Sequence, residues 1–145
     1  MKKFISLLFV MFSLNYVLTA QESVIPNMDP NAPEIKFETE VLDYGVIDYK
    51  SNGLREFKFT NTGRTPLTIT SVSGECGCTA TTIDGKPGWP TEPVLPGKSG
   101  VIKVKYDTER EGRFEKNVTV TSNAKFASKK IRIKGEVKSK PGAGG

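Results

Sequence analysis

The chain has 145 residues, of which 37% are hydrophobic and 26% are charged, and it carries a formal net charge of +5. That length and hydrophobic content are sufficient for one small domain with its own core. The sequence contains no histidine. This excludes Ser-His and Cys-His catalytic pairs and removes the commonest general base and the commonest metal ligand.

The charge is unevenly distributed along the chain. Residues 21–100 hold 7 basic and 11 acidic side chains, whereas residues 101–145 hold 12 basic and 5 acidic ones. A basic half favours an anionic partner, although salt screens exposed charges beyond about 10 Å. Exposed basic residues of the C-terminal half are therefore candidate contacts for such a partner.

The N-terminus has the pattern of an export signal. Lys2 and Lys3 precede an apolar run over residues 4–18, and small residues follow up to Ala20. The run is too short for a comfortable membrane span, so we expect cleavage after Ala20 rather than retention as an N-terminal anchor. The sequence therefore predicts a signal peptide over residues 1–20 and a periplasmic or secreted protein.

After the signal, residues 21–33 are rich in proline and predict a flexible leader. Residues 34–137 then predict a β-domain, because short alternations of apolar and polar residues are separated by turn signals. The expected strands lie at residues 35–37, 41–47, 55–61, 67–72, 101–108, 114–121 and 129–137. Residues 83–96, with four prolines, predict a loop, and residues 138–145 predict a disordered tail rich in glycine and lysine.

No segment shows helical periodicity over ten residues. About seven short strands predict an all-β fold, an Ig-like antiparallel β-sandwich, with a small β-barrel as the alternative. The Cys-Trp-Cys spacing of antibody domains is absent. In the fourth strand, Leu67 and Ile69 are expected to point to one side, and Thr68, Thr70 and Val72 to the other.

Eight short motifs then follow one another in a fixed order. They are Phe57-x-Phe59-x-Asn61-Thr62-Gly63, Pro66-Leu67-x-Ile69, Cys76-Gly77-Cys78-Thr79, Pro96-Gly97, Tyr106-Asp107-Thr108, Gly112-x-Phe114, Ser122-Asn123 and Ile131-x-Ile133-x-Gly135. This series resembles a family of secreted bacterial proteins with a Cys-Gly-Cys-Thr signature, domain of unknown function 1573. The resemblance covers residues 57–137 and implies an Ig-like domain, related to sperm-protein and pilus-chaperone sandwiches, in an exported protein. It implies no activity.

Cys76 and Cys78 are the only cysteines in the sequence. In an extended strand their Cα atoms would lie about 6.6 Å apart, near the upper limit for a disulfide, and Gly77 can bend the backbone and shorten that distance. A loop this small contributes at most about 1.5 kcal/mol of stability. The first interpretation is a local disulfide or two buried structural cysteines.

Other interpretations of Cys76 and Cys78 stay open. Soft thiolates suit Cu(I) or Zn²⁺, but in a chain without histidine the further zinc ligands would be Glu75, Asp84 or a second molecule. Thiol–disulfide exchange is opposed by Glu75, because a neighbouring negative charge disfavours the thiolate. An intermolecular disulfide is the last alternative. We predict no catalytic residue, no cofactor and no bound metal.

Four residues are candidates for a binding surface: Trp89, Lys130, Arg132 and Lys134. Trp89 lies between proline-rich stretches and is either a lid over one end of the core or an exposed anchor for a ligand. The basic residues of the last strand, with Lys103 and Lys105, form either a solvated face or a contact for an anionic polymer. No aromatic residues are interleaved with them, so nucleic acid is not expected as a partner.

The sequence as a whole predicts an exported, non-enzymatic Ig-like module that binds or scaffolds in the bacterial cell envelope. Its partner would be an envelope protein or an anionic envelope polymer, and an exposed edge strand is the expected contact with a protein. The alternative is a thiol-redox or copper- or zinc-handling protein that uses the Cys76-Gly77-Cys78 motif.

Overall fold

The computed structural model describes residues 26–143, and no helix within that range is long and apolar enough to cross a membrane. The predicted signal peptide lies outside the described residues. The strands, in chain order, are β1 (Ile35–Phe37), β2 (Val41–Ile47), β3 (Leu54–Asn61), β4 (Ile69–Gly74), β5 (Thr79–Ala80), β6 (Thr82–Ile83), β7 (Lys86–Pro87), β8 (Ser99–Tyr106), β9 (Gly112–Ser122) and β10 (Ser128–Val137).

Eight of these strands form two four-stranded sheets that pack face to face. The first sheet has the order β1-β3-β8-β5 and the second has the order β2-β10-β9-β4, while β6 and β7 pair with each other. Buried side chains from both sheets belong to one core cluster, which fills the space between them. The two sheets therefore form a β-sandwich, and the β-barrel alternative is wrong.

The sandwich forms because apolar side chains alternate along its long strands. Phe57 and Phe59 on β3 and Ile102 on β8 are fully buried, and burial of a side chain of this size contributes about 1.5–3 kcal/mol. Across the interior, Tyr106 of the first sheet stacks on Phe114 of the second, with ring centroids 3.7 Å apart. The alternation predicted for these strands is confirmed.

One pair of strands departs from the predicted antiparallel arrangement. β2 runs parallel to β10, with Val41 opposite Arg132 and Ile47 opposite Val137. The chain leaves the first sheet after β1 and crosses to the second through residues 38–40, so β2 meets the last strand in the same direction. A purely antiparallel sandwich is wrong at this edge, because local periodicity carries no information on which distant strand becomes the neighbour.

A bulge in β4 changes which of its side chains face the core. The register against β9 shifts between Ile69 and Ser71, and Ile69 and Val72 are both buried. The expectation that Val72 points away from Ile69 is wrong, because the extra residue of a bulge breaks the period of two.

The segment predicted as a loop, residues 83–96, contains the turn and the second strand of a short β-hairpin. It also contains Val94, which forms an isolated β-bridge with Leu67. Asp84 and Gly85, with φ angles of 51° and 75°, connect β6 to β7 in a two-residue turn, the geometry that an Asp-Gly pair favours. Farther on, Val94 and Leu67 exchange two backbone hydrogen bonds of 2.7 and 2.9 Å. The prediction of a loop without regular structure is wrong here, since pairings of one or two residues are too short for periodicity to detect.

Both ends of the described chain are bonded to the sandwich. The N–H of Asn27 donates to the carbonyl of Lys125 at 2.8 Å, and the N–H of Lys125 donates to the carbonyl of Pro33 at 2.8 Å. After β10, the ammonium of Lys138 donates to Asp48 at 2.8 Å, and this hydrogen bond raises the pKa of Lys138. The boundaries of signal, leader, domain and tail stay predictions.

Candidate functional site

Cys76 and Cys78 lie in the turn that carries the chain from β4 in the second sheet to β5 in the first. The N–H of Thr79 donates to the carbonyl of Cys76 at 3.2 Å, and the two cysteine Cα atoms are 5.2 Å apart. This separation lies inside the range that a disulfide bridges, and the two sulfur atoms are at bonding distance. The turn, rather than an extended strand, creates this geometry.

The two sulfur atoms have different surroundings. Cys78 is 2% exposed and belongs to the core, whereas Cys76 is only partly buried. The carbonyl of Cys78 accepts a hydrogen bond of 2.8 Å from the N–H of Asp107, which ties the turn to the end of β8. Cys78 is therefore a core side chain, and Cys76 carries the sulfur that a reagent in solvent reaches first.

Glu75, next to the cysteines, is engaged elsewhere. Its carboxylate accepts hydrogen bonds of 2.9 Å from the backbone and the side-chain N–H of Asn117, and it lies 3.9 Å from the ammonium of Lys116. The backbone hydrogen bond from Asn117 is the largest cause that lowers the pKa of Glu75. A carboxylate held in this way is poorly placed to act as a base for either thiol.

The residues considered as further zinc ligands do not assemble around the cysteines. Asp84 is exposed in the β6–β7 turn, and Glu75 is bonded to Asn117. Within residues 26–143, no group of three or more cysteine, aspartate or glutamate side chains is arranged to hold a metal ion. A closed zinc site needs four ligands, and the described residues do not supply them.

Trp89 is partly buried and packs against the core. It also lines a shallow groove of about 240 Å³ on the first sheet, together with Pro87, Gly88, Pro90, Val101 and Lys103. The N–H of Lys103 donates to the carbonyl of Gly88 at 2.6 Å, and a Cβ atom at Gly88 would lie only 2.7 Å from the carbonyl of Lys103. Glycine at this position therefore allows the groove segment to lie against the edge of β8.

The predicted basic residues of β10 project from the outer face of the second sheet: Lys130, Arg132 and Lys134. The guanidinium of Arg132 pairs with Glu115 on β9, and the ammonium of Lys134 lies 3.6 Å from Asp43 on β2. Acids on both neighbouring strands thus neutralise much of this row. The structure does not bring these residues together with Trp89, which lies at the first sheet.

A larger groove, of about 480 Å³, lies on the outer face of the second sheet and was not expected from the sequence. Two ion pairs line it, Arg113 with Glu136 at 3.3 Å and Lys134 with Asp43 at 3.6 Å. Three acidic and two basic side chains line this groove, so its net charge is small.

The outer face of the first sheet carries a diagonal row of lysines. The register places Lys36 opposite Thr60, two residues from Lys58, and it places Lys103 opposite Glu56. Neighbours on such a diagonal are roughly 7–8 Å apart. We call this row, with the next outward residue of β8, the lysine stripe: Lys36, Lys58, Lys103 and Lys105.

The sequence indicated three lysines of the stripe singly, but not the row. Alternation with apolar neighbours predicts outward positions for Lys58, Lys103 and Lys105. Only the strand order β1-β3-β8 shows that these lysines share one face. Acids lie among these lysines: Glu56 is opposite Lys103, and Glu38, whose N–H donates to the carbonyl of Lys58 at 3.0 Å, is opposite Lys58.

Hydrogen-bonding groups on two sheet edges are already occupied. On β2, the hydroxyl of Thr39 donates to the carbonyl of Val41 at 2.7 Å and accepts from its N–H at 3.3 Å. On β4, the hydroxyl of Thr81 donates to the carbonyl of Val72 at 2.7 Å. Edges protected in this way are poor templates for an added strand, which disfavours the expected edge-strand contact at β2 and β4.

Comparison with solved structures shows related folds. A protein of unknown function from Porphyromonas gingivalis W83 superposes with a TM-score of 0.61 at 17% identity, over 74% of this chain and 48% of that one. The ASH / PapD-like domain 7 of human CEP192 superposes with a TM-score of 0.57 at 8% identity, over 85% of this chain and 99% of that domain. The secreted serine protease VesC from Vibrio cholerae superposes with a TM-score of 0.54 at 13% identity, over 72% of this chain and 23% of the protease.

These similarities establish the fold alone. The chain spans about half the length of the Porphyromonas protein, 48%, and 23% of the Vibrio protease. With the PapD-like domain they confirm the predicted Ig-like β-sandwich. No curated protein matches the chain by sequence, but the family model described as "Protein of unknown function (DUF1573)" matches residues 35–137. The chain therefore belongs to the DUF1573 family.

Proposed function

We propose that this protein is an exported, non-enzymatic Ig-like module that binds a partner in the bacterial cell envelope. The sequence has no histidine, and Glu75, the acid nearest the cysteines, is hydrogen-bonded to Asn117. The described residues around Cys76 and Cys78 therefore supply no nucleophile with an adjacent base. Two lysines, an apolar run and a small residue at position 20 support export.

The binding surface that we propose is the outer face of the first sheet. The observation that carries this assignment is that the lysines of this face are less closely paired with acids than the basic residues of the second sheet. Among the described residues, Lys103 with Glu56 at 3.9 Å is the one ion pair of the lysine stripe, whereas Arg132 and Lys134 on the second sheet are paired with acids from neighbouring strands. Lysines without a close acidic partner attract a negatively charged group on a binding partner and speed its association.

Within this proposal, Cys76 and Cys78 form a disulfide after export. The oxidising environment outside the cytoplasm favours the bond, and the 5.2 Å between the Cα atoms accommodates it. The disulfide holds the β4–β5 turn, which is tied through Cys78 to Asp107 at the end of β8. Its role is to shape this end of the binding sheet.

Photo-crosslinking in intact cells tests the binding role. A photoreactive amino acid is placed at Ala80, exposed on β5 of the first sheet, or at Ser73, exposed on β4 of the second. We expect a covalent adduct from position 80 and none from position 73. Equal adducts from both positions would overturn the assignment of the face, and no adduct from either would overturn the binding role.

Export is tested separately by mass spectrometry of the protein recovered from the envelope and the medium. We expect a mature protein that begins at Gln21, the residue after the predicted cut. An intact Met1 in the membrane fraction would support the anchored alternative and contradict the proposal.

A further inference from the structure

The outer edge of the first sheet is only partly covered. β8 has eight residues, but its neighbour on that side, β5, has two, which pair with Lys105 and Tyr106. Farther along, the N–H of Lys103 donates to the carbonyl of Gly88 at 2.6 Å. No further strand of the described chain is hydrogen-bonded to β8 on this side. The edge is therefore open along the first half of β8.

Backbone groups on this part of β8 have no partner. The N–H of Asn61 donates to the carbonyl of Lys98 at 2.9 Å, so Lys98 bonds towards β3. Since the direction of these groups alternates along an antiparallel strand, Ser99 and Val101 direct theirs to the opposite side. Within residues 26–143, the N–H and carbonyl of both residues lack a hydrogen-bonding partner. We call these four groups the β8 open edge.

The loop that leads from the first sheet to the second does not cover the β8 open edge. A Cβ atom at Gly100 would point at Phe59 of the core and would lie 3.0 Å from the ring of Pro90, so Pro90 packs on the core side of β8. Farther on, Val94 exchanges two hydrogen bonds with Leu67, which precedes β4. Proline also has no N–H with which to bond a strand edge.

The other sheet edges differ from this one. Hydroxyls of Thr39 and Thr81 occupy backbone groups on β2 and β4, and β1 has only three residues, a length that itself limits pairing. On β8, the hydroxyl of Ser99 is bonded to that of Thr60 at 2.8 Å rather than to a backbone group of the edge. The β8 open edge is therefore the least protected template for an added strand in the described chain.

The groove of about 240 Å³ lies beside the β8 open edge. Val101 and Lys103 line it from β8, and Trp89 and Pro90 line it from the other side. Trp89 is packed against the core, so its ring is held in place. Alternate side chains of a strand added here would lie on the outer face of the sheet, and one of them would contact Trp89. The groove suits one apolar or aromatic side chain.

We propose that the β8 open edge binds an extended peptide segment of a partner protein, which adds a strand to the first sheet and places one apolar side chain against Trp89. This inference rests on the binding role proposed above and names the kind of partner. A row of unpaired N–H and carbonyl groups is matched by another main chain, and a neighbouring pocket then selects among side chains.

The test screens the full mature chain against a displayed library of random seven-residue peptides. The tightest peptide is synthesised, and calorimetry measures its Kd before and after N-methylation of each residue in turn. We expect losses of at least tenfold at residues of one parity only, because alternate N–H groups of an added strand face the sheet. Losses at successive residues, or no binding peptide in the library, would overturn strand addition.

Amide hydrogen exchange locates the bound peptide. We expect it to slow exchange at Ser99 and Val101 at least tenfold, since both N–H groups become paired. The control is Val41 on the β2 edge, whose N–H is already bonded to the hydroxyl of Thr39 and should exchange at an unchanged rate. Slower exchange on β2, or unchanged exchange on β8, would overturn the assigned edge.

Two substitutions at one position separate main-chain from side-chain recognition. Val101→Pro removes the N–H at a position where an edge strand tolerates proline, whereas Val101→Ala keeps it and shortens the side chain. We expect the proline variant to raise the Kd of the peptide at least tenfold and the alanine variant less than threefold. Equal effects would overturn main-chain recognition. Thermal unfolding controls for loss of structure, and if Val101→Pro is unstable, N-methylation and hydrogen exchange decide.

The groove has its own matched pair of variants. Trp89→Ala should raise the Kd of the peptide at least fivefold, whereas Phe126→Ala, which removes an exposed aromatic side chain elsewhere, should leave it unchanged. Equal effects of the two variants would overturn the contact with Trp89.

The adduct from position 80 in cells separates this inference from the binding role. An adduct that persists in the Val101→Pro variant would overturn strand addition and leave the binding role standing, whereas its loss would support both. Self-association of the pure protein that Val101→Pro abolishes would identify a second copy as the occupant and overturn the partner peptide. Absence of an adduct and of any binding peptide would overturn the two proposals together.

Discussion

The side-chain amide of Asn61 donates a hydrogen bond of 3.0 Å to the carbonyl of Val94. The same NH₂ group donates to the carbonyl of Thr65 at 2.8 Å, and the side-chain oxygen accepts from the N–H groups of Gly63 at 2.9 Å and Glu34 at 3.3 Å. Asn61 is fully buried. One internal side chain therefore joins the end of β3 to three separate segments, and all of its hydrogen-bonding groups are used.

We expect Asn61→Ala to lower the free energy of unfolding by about 2–4 kcal/mol, because it opens a cavity and leaves buried backbone groups unpaired. Denaturant unfolding followed by the fluorescence of Trp89, the single tryptophan, measures this loss. Asn123→Ala is the matched control, since Asn123 also bonds two backbone groups, of Thr68 and Pro66, but is exposed. The Asn123→Ala variant should lose less than about 1 kcal/mol of unfolding free energy. Equal losses in the two variants would contradict the prediction.

Ionisation of the Tyr44 hydroxyl is expected to destabilise the folded protein at high pH. Its hydroxyl donates to the carbonyl of Gly53 at 2.8 Å, and burial, opposed by the charge of Arg55, raises the pKa of Tyr44 to about 12. The unfolded chain releases this proton near pH 10. The stabilising contribution is therefore complete below pH 10 and is lost as the pH rises towards 12.

The variant Tyr44→Phe isolates this contribution. At pH 8 it should be about 1 kcal/mol less stable than the parent, because it lacks the hydrogen bond to Gly53. At pH 11 the parent itself has lost about 1 kcal/mol through Tyr44, so the deficit should vanish or reverse. Denaturant unfolding at the two pH values measures the difference, and a constant deficit would contradict the assigned pKa shift.

Reduction of Cys76 and Cys78 should change stability only slightly. A disulfide that closes so short a loop contributes at most about 1.5 kcal/mol, so the reduced protein should stay folded. Once reduced, Cys76 should react with an alkylating reagent well before Cys78, which is 2% exposed. Mass spectrometry at timed intervals records the order, and simultaneous alkylation under native conditions would contradict the burial of Cys78.

Two glycines differ in what their surroundings permit. A Cβ atom at Gly88 would lie 2.6 Å from the carbonyl of Thr81 and 2.7 Å from that of Lys103, whereas one at Gly77 would have no neighbour within 4 Å. We expect Gly88→Ala to cost about 1–3 kcal/mol and Gly77→Ala under about 0.5 kcal/mol. Thermal unfolding compares the two, and a severe loss at Gly77 would show a backbone requirement in the cysteine turn.

Thr39 is expected to keep the protein monomeric at high concentration. Its hydroxyl satisfies the N–H and the carbonyl of Val41 on the β2 edge, and unpaired edge groups promote strand pairing between molecules. Thr39→Ala should therefore increase self-association, measured by light scattering over a concentration series. Thr62→Ala, at an exposed threonine with a long hydrogen bond of 3.5 Å, is the control and should have no such effect.

The sequence predicted the parts of the fold that local alternation encodes. Phe57, Phe59 and Ile102 are buried as their spacing indicates. Val72 was assigned to the wrong face because a bulge beside Ile69 shifts the period, and no local signal marks that bulge. The parallel pairing of β2 with β10 was missed for a similar reason, since it joins segments that are far apart in the sequence.

The candidate site was less predictable than the fold, because a binding surface depends on which strands are neighbours. Lys130, Arg132 and Lys134 look like a free basic row in the sequence, but the acids that pair with two of them come from β2 and β9. Conversely, Lys58 looks like one ordinary outward residue. It becomes part of a charged row only when β3 lies between β1 and β8.

The position of β10 has a consequence for how the protein folds. The last long strand lies inside the second sheet, between β2 and β9, and it pairs Val41 with Arg132. A chain that emerges N-terminus first therefore presents β2, β4 and β9 before the strand that joins β2 to the others is available. Contacts between such distant segments form slowly. The second sheet therefore closes only after residues 128–137 have emerged, and until then the hydrogen-bonding groups of β2 that face β10 stay unpaired.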